Sequence, residues 1–417
     1  PSRSRLLQHG LLPETFGWFP EKINKELDAV ILGMHAREDN PELLRAKELG
    51  IQIYSFPEYL YEQTLNKTRI VIGGSHGKTT ITAMILFVLK KLHIAADYMV
   101  GAQIEGFDNM VSLSHEARIA VFEGDEYLTS PIDKRPKFHL YFPHIALLSG
   151  IAWDHINVFP TFENYIEQFR VFSTLIEKEG RLIYFDGDEN LQKIAENVRE
   201  DITIFPYNTP EYKIVNGITC LQVKGEEIPL KIFGEHNLQN LNGARLVCKQ
   251  LGIQDKDFYQ AIADFPGAAN RLQKIAENSQ SVAFKDFAHS PSKLKATVHA
   301  VKKQYPDREL VACMELHTFS SLTTDFLPQY KDAMSEADVA YVYYNPEVIK
   351  HKQLSELTPQ QVSEDFGGNN LQVYTDTHEL QKKLREFDYT NKNLLLMTSG
   401  NFSGVDLVAF ANELIHD

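Results

Sequence analysis

The chain has 417 residues, enough for two or three domains of ordinary size. It is 43% hydrophobic and 24% charged, an ordinary globular composition, and its net charge of −14 argues against a duplex nucleic-acid binder, which needs basic surface against phosphates. No run approaches the length of about 18 apolar residues that a membrane span requires, and Cys220, Cys248 and Cys313 are too far apart for a metal set or a disulfide framework, which suits a reducing compartment.

Residues 1–66 read as part of an α/β domain. Asp28-Ala-Val-Ile-Leu-Gly33 has the character of a buried parallel strand, Asn40 to Gly50 that of a capped helix closed by glycine, and Ile51 to Ser55 that of the next strand. A dinucleotide-type domain usually opens with a Gly-rich strand–helix turn, and this stretch shows none. No secretory leader is visible and Pro1 is not an initiator, so the expectation is that further residues precede it.

A central domain is expected over 67–266. The β-branched run Ile70-Val71-Ile72 predicts a buried strand. It is followed by Gly73, Gly74, Ser75, His76, Gly77, Lys78, Thr79 and Thr80, and then by Ile81, Ile85, Val88, Leu89 and Leu92 at helical spacing. Strand, glycine-rich turn, Gly-Lys-Thr and helix form the layout of a phosphate-binding loop. Its glycines turn backbone N–H groups inward, the helix N-terminus adds positive potential, Lys78 meets the β- and γ-phosphates and the Thr79 hydroxyl can ligate Mg²⁺. The most general form of that loop wants glycine where Ile72 stands, so the match is to the tighter GxHGKTT form. Two further strands end in chemistry: Arg118 to Glu123 runs into the acidic cluster Glu123, Asp125 and Glu126, and Ile145 to Ser149 runs into Trp153-Asp154-His155. In an open parallel sheet these ends converge, so Glu123 and His155 are candidates beside Lys78, although a solvated acidic turn and a structural histidine are the plainer readings. A strand-like stretch Ile228 to Phe233 leads into a helix that begins Gly234-Glu-His-Asn-Leu-Gln-Asn. Asn237 and Asn240 there either cap the helix or present amides suited to adenine.

The third unit, 267–417, opens near Asn270-Arg271. Val282 to Asp286, Glu309 to Met314, Val339 to Tyr344 and Leu394 to Thr398 read as strands with helices between them, and Ser399 to Gly404 is a Gly-rich turn that either meets a ligand or only turns. The fold class is therefore α/β: a partial Rossmann-like first domain, a central P-loop ATPase domain with a mostly parallel sheet, and a Rossmann-like C-terminal domain.

The segments GSHGKTT at 74–80, EGDEY at 123–127, WDH at 153–155, GEHNLQN at 234–240, NR at 270–271, DFAHSP at 286–291 and SGNFSG at 399–404 stand in the order of the Mur ligase family and at similar spacing, and the chain resembles that family over nearly its whole length. The resemblance implies a cytoplasmic, ATP-dependent amide ligase, monomeric or weakly dimeric, working through an acyl phosphate. It implies ATP and Mg²⁺ as cofactors, with Gly74 to Thr80 on the phosphates, Thr79, Glu123 and His155 on metal, and Asn237 and Asn240 toward the adenine. Arg271 and Asp286 would reach from the third domain toward phosphate and ribose. His289 would lie near the interdomain cleft, the first domain would hold the UDP-sugar and the third the acceptor.

Within the family, EGDEYLTSPIDKRPKF (123–138) and DFAHSP resemble the muropeptide-recycling ligases, which implies UDP-N-acetylmuramate and the tripeptide L-alanyl-γ-D-glutamyl-meso-diaminopimelate as substrates; the alternative acceptor is free L-alanine. The chain departs from the family pattern at Ser75, at Ser149 to Trp153 and at Glu315-Leu-His-Thr-Phe-Ser320, the stretch matched to the tripeptide side. Polyglutamate-type ligases share the ATPase core but lack a UDP-binding first domain. A non-catalytic ATP switch would not need Glu123, His155, Arg271 and Asp286 together.

Overall fold

The computed structural model describes residues 2–34, 36–104, 106–153, 156, 158–215, 217–367 and 371–416. It divides into two compact units, Pro1–Leu65 with Tyr127–Tyr141, and Asn66–Glu126 with Phe142–Asp417.

In the first unit, α1 (Ser2–Gln8) precedes a two-stranded parallel sheet of β1 (Val30–Leu32) and β2 (Ile53–Ser55), joined by α2 (Pro41–Leu49) and followed by α3 (Phe56–Glu62). Local chemistry sets the helix ends. The Asn40 side chain accepts from the Glu42 and Leu43 amides at 2.9 and 3.1 Å, Pro41 starts α2, and Gly50 closes it with φ 67°. Ser55 and Glu58 cap α3 reciprocally. Tyr127–Tyr141, central by sequence, groups with this unit: Leu128 bridges Pro136, Asp133 pairs with Arg135 at 2.6 Å, and Arg135 reaches Glu58 at 3.5 Å.

The second unit begins with β3 (Thr68–Gly73), α4 (Lys78–Lys91), β4 (Asp97–Met99), β5 (Val111–Ser112), β6 (Ile119–Glu123), β7 (Ile145–Leu148), α5 (Phe162–Thr174), β8 (Arg181–Phe185), α6 (Glu189–Ala195) and β9 (Thr203–Tyr207). Its seven strands run in the order β5-β4-β6-β3-β7-β8-β9, all parallel except the β4–β5 pair. β3, β6 and β7 are continuous apolar runs because they are covered on both faces. Helix α4 is buried along most of its length for the same reason, with the sheet on one side and α7 (Glu235–Gln250) on the other.

Between β9 and α7 lies an antiparallel sheet of β10 (Tyr212–Val215), β11 (Ile218–Val223) and β12 (Glu226–Pro229). The strand expected over Ile228 to Phe233 is seen over Glu226–Pro229, and the Leu230 amide still donates to Thr219 O at 2.9 Å beyond it. After α8 (Asp255–Ile262), a six-stranded sheet follows: β13 (Gln273–Glu277), β14 (Val282–Asp286), α9 (Pro291–Gln304), β15 (Glu309–Leu316), β16 (Val339–Tyr344), α10 (Pro346–His351), α11 (Pro359–Phe366), β17 (Leu371–Tyr374), α12 (Thr377–Arg385), β18 (Lys392–Met397) and α13 (Leu407–His416). The order is β13-β14-β18-β15-β16-β17, and only β13–β14 is antiparallel. Separate apolar clusters fill its two faces.

Candidate nucleotide-binding site

The loop between β3 and α4 is shaped by two glycines. Gly74 has φ 132°, and a Cβ there would sit 2.1 Å from Ser149 Oγ; Gly77 has φ 79°, and a Cβ there would sit 2.4 Å from Asn240 Oδ1. Both backbone conformations and both close approaches favour glycine. The loop is held to the segment after β7: the Ser75 amide donates to Gly150 O at 2.9 Å, the Ser149 amide to Gly73 O at 3.1 Å, and the Ser149 hydroxyl to His76 O. Burial pushes the His76 imidazole down to about 4, and the positive charges of Lys293 and Lys78 act in the same direction, so it is neutral at pH 7.

Lys78 begins α4. Its ammonium donates to Gly74 O at 2.6 Å and to Glu126 Oε2 at 2.5 Å. Burial alone would lower its pKa; Glu126, with Asp125 and Glu123, raises it above the usual value, so the charge is retained. One residue on, the Thr79 hydroxyl donates to Glu123 Oε1 at 2.9 Å, and the Gly101 amide holds Glu123 Oε2 at 2.6 Å. Thr80 is buried on the same turn. β3 and β6 are parallel neighbours in the middle of the sheet, which brings Thr79 and Glu123 together at the carboxyl ends of these strands.

Arg271 comes from the segment before β13. Its Nη2 lies 3.4 Å from Thr79 Oγ1, and its guanidinium stacks 4.7 Å from the Phe287 ring centroid. Asp286, at the end of β14, is buried and accepts from the Leu272 amide. Burial pushes its carboxyl up to about 6, against the pull of Arg271 and of the Leu272 and Ala288 amides. His289 Nδ1 lies 2.8 Å from Phe287 O.

The asparagines of α7 do different things. Asn237 is not the cap, which is Gly234; its Nδ2 donates to Phe233 O at 2.9 Å, and it lines a cavity of about 670 Å³ shared with Thr80, Phe233, Arg271, Phe284 and Tyr305. Asn240 packs against Gly77 instead. His155 lies outside the described residues, as does Asp154. Among the described residues no group of three or more His, Cys, Asp or Glu side chains is placed to hold a metal ion; Thr79 and Glu123 present paired hard oxygens at this site. Two residues with no assigned role join it: Glu126, visible in the acidic cluster, and Tyr165 of α5, whose only sequence signal was that of a core aromatic.

A glycine-rich loop leading from a mostly parallel sheet into a helix that opens with Lys78 and Thr79, faced by an arginine from the segment before a second sheet, is the layout of a nucleoside-triphosphate-using α/β enzyme. A family model described as "Mur ligase middle domain" matches residues 72–248, and the UDP-N-acetylmuramate–L-alanine ligase of Caldicellulosiruptor bescii is 30% identical over 328 residues, covering 76% of this chain and 70% of the relative. Among solved structures, the UDP-N-acetylmuramate–alanine ligase of Thermotoga maritima aligns with TM-score 0.69 at 19% identity over 96% of this chain and 88% of its own, and the murein peptide ligase of Psychrobacter arcticus with TM-score 0.65 at 21% identity over 99% and 92%. The chain belongs to the Mur ligase family, the ATP-dependent amide ligases of peptidoglycan synthesis. No helix among the described residues is long and apolar enough to cross a membrane.

Proposed function

We propose that the chain joins UDP-N-acetylmuramate to L-alanyl-γ-D-glutamyl-meso-diaminopimelate, as a ligase of peptidoglycan recycling acting in the cytoplasm as a monomer or weak homodimer. The observation that carries the ligase chemistry is the meeting of Thr79, Glu123 and Arg271 beside Lys78. The choice of acceptor is supported by the EGDEYLTSPIDKRPKF stretch and by the fold likeness to a murein peptide ligase. The second reading, free L-alanine as acceptor, is favoured by the name of the relative at 30% identity.

A free carboxylate is a poor acylating agent. The muramate carboxylate would attack the γ-phosphorus of ATP and expel ADP, leaving an acyl phosphate; the amine of the acceptor's L-alanyl residue would then attack the carbonyl carbon, lose its proton and expel phosphate. In this reading Lys78 and the amides of Gly74 to Thr80 hold the triphosphate, and Arg271 neutralises charge from the opposite side. Thr79 and Glu123 offer hard oxygens of the kind Mg²⁺ takes alongside phosphate oxygens, with His155 assigned near them by resemblance; a cation there would neutralise phosphate charge. The cavity beside Asn237 has the size of a nucleobase site, with Asp286 assigned to the ribose side. We place domain boundaries at 66/67 and 266/267, with the UDP-sugar on the first domain and the peptide on the third.

The test is phosphate release with ATP, Mg²⁺ and UDP-N-acetylmuramate, with L-alanine in one reaction and the tripeptide in another. Turnover with tripeptide alone is expected. Turnover with L-alanine establishes the second reading, and silence in both while ATP still binds defeats both.

A further inference from the structure

We propose that Glu126 and Tyr165 are positioning residues for Lys78, linked through Ser75 in a one-way hydrogen-bond relay that ties the phosphate-binding lysine to the segment at residues 149–152. The proposal rests on the reading of 74–80 as a triphosphate loop.

Four contacts make the relay. The Ala152 amide lies 2.9 Å from Ser75 Oγ, Ser75 Oγ lies 2.9 Å from Tyr165 Oη, Tyr165 Oη lies 2.9 Å from Glu126 Oε1, and Glu126 Oε2 accepts from Lys78 at 2.5 Å. Counting protons fixes the direction. Glu126 faces an ammonium and is ionised, so it only accepts, and Tyr165 gives it its single hydroxyl proton. The Tyr165 oxygen must then accept from Ser75, and the Ser75 oxygen accepts from the Ala152 amide. Every donor points toward the carboxylate, an arrangement in which each bond polarises the next. Ser75, Tyr165 and Glu126 are 4%, 0% and 1% exposed, so bulk water does not compete for these bonds.

The relay does something a lone lysine cannot. A lysine side chain carries about 2 kcal/mol of rotamer entropy and no directional fork. Here two of the three ammonium donors are committed, to Gly74 O and Glu126 Oε2, which fixes the direction of the third. Glu126 is held in turn by Tyr165 from a different helix, and Tyr165 by Ser75 of the loop itself. The carboxylate also places a negative charge beside the triphosphate, which opposes ground-state binding. Its benefit must therefore appear in turnover and its cost in affinity.

That gives a split a merely structural residue would not produce. ATP affinity is measured by calorimetry without acceptor, and kcat and KM for ATP by phosphate release with UDP-N-acetylmuramate, L-alanine and the tripeptide together. Glu126→Gln should lower kcat by roughly tenfold or more, while the Kd for ATP stays equal or tightens. Tyr165→Phe should lower kcat by about three- to tenfold, the scale of one lost hydrogen bond. The double variant should lose less than the product of the two single losses, because Tyr165 acts on Lys78 through Glu126. Unchanged kcat in Glu126→Gln, a Kd for ATP that weakens in step with kcat, or additive effects in the double variant overturn the proposal. If Glu126→Gln does not fold, Tyr165→Phe decides it, and wild-type kcat there overturns the relay. A wild-type protein that binds no ATP is a separate failure, of the nucleotide reading itself.

Discussion

Arg271 lies 3.4 Å from the Thr79 hydroxyl across a sequence separation of 192 residues. One partner leaves the glycine-rich loop and the other precedes the six-stranded sheet, so a triphosphate bound at the loop would meet positive charge from two elements that share no local sequence. Arg271 is preorganised by its stack on Phe287 and by its bond to Asn270 O at 3.1 Å. Arg271→Ala should lower kcat on the order of 10²-fold or more, with a smaller change in the Kd for ATP. Arg271→Lys should not restore it, because an ammonium has neither the planar fork nor the ring stack. Steady-state phosphate release beside ATP calorimetry checks both; full activity in the lysine variant would show that charge alone suffices.

Glu123 holds its geometry through the Thr79 hydroxyl and the Gly101 amide. If the pair completes a cation's coordination with phosphate oxygens, Glu123→Gln keeps the shape and removes the charge. The expected result is a loss of roughly 10²-fold in kcat/KM and a rightward shift of the Mg²⁺ activation curve. Excess EDTA should abolish phosphate release from the wild type and Mg²⁺ should restore it. Activity that persists in EDTA rejects the assignment.

Gly77 combines φ 79° with a close approach to Asn240. An L-residue there pays about 1–2 kcal/mol in backbone conformation, and its Cβ would displace the Asn240 amide. Gly77→Ala should lower the unfolding temperature by several degrees and weaken ATP binding, whereas Gly252→Ala, where a Cβ would meet nothing within 4 Å, should carry only the backbone strain. Calorimetry of both variants separates the two effects.

The legible parts of this fold are its doubly covered strands. Ile70-Val71-Ile72, Ile119 to Glu123, Ile145 to Leu148 and Val339 to Tyr344 are continuous apolar runs, and burial on both faces leaves no room for a polar alternation that could mislead. Three of the strands that escaped are short and half polar. Asp97–Met99, Val111–Ser112 and Tyr212–Val215 exist because a neighbour pairs with them, and nothing in two to four residues announces that neighbour. The site divides the same way. Lys78 and Thr79 are visible because glycine-rich loops have few uses, and Glu123 because it ends a clear strand. The approach of Arg271 to Thr79 is tertiary and has no sequence signature. Tyr165 shows least of all: on an amphipathic helix between Phe162 and Phe169 it reads as core, and only its hydroxyl, 2.9 Å from Glu126, says otherwise.

Asp286 supplies the pH dependence. Its carboxyl is pushed up to about 6 by burial, although Arg271, Lys293 and the Leu272 and Ala288 amides all pull it down. A folded-state pKa above the unfolded value means that the folded state binds the proton more tightly. The stabilising contribution is therefore complete below the unfolded pKa near 4 and is lost as pH rises through about 6. Between those limits it amounts to about 3 kcal/mol at most. Asp286→Asn keeps one acceptor for the Leu272 amide and cannot titrate. Unfolding midpoints of wild type and variant, followed by scanning calorimetry from pH 7.5 to pH 4.5, should differ by an amount that moves in the wild type's favour as pH falls, beginning near the folded pKa of about 6 and changing most steeply about midway between the two pKa values, near pH 5. Parallel curves across that range would mean that the ionised carboxylate is already compensated by Arg271 in the folded protein, and that Asp286 keeps its charge at every working pH.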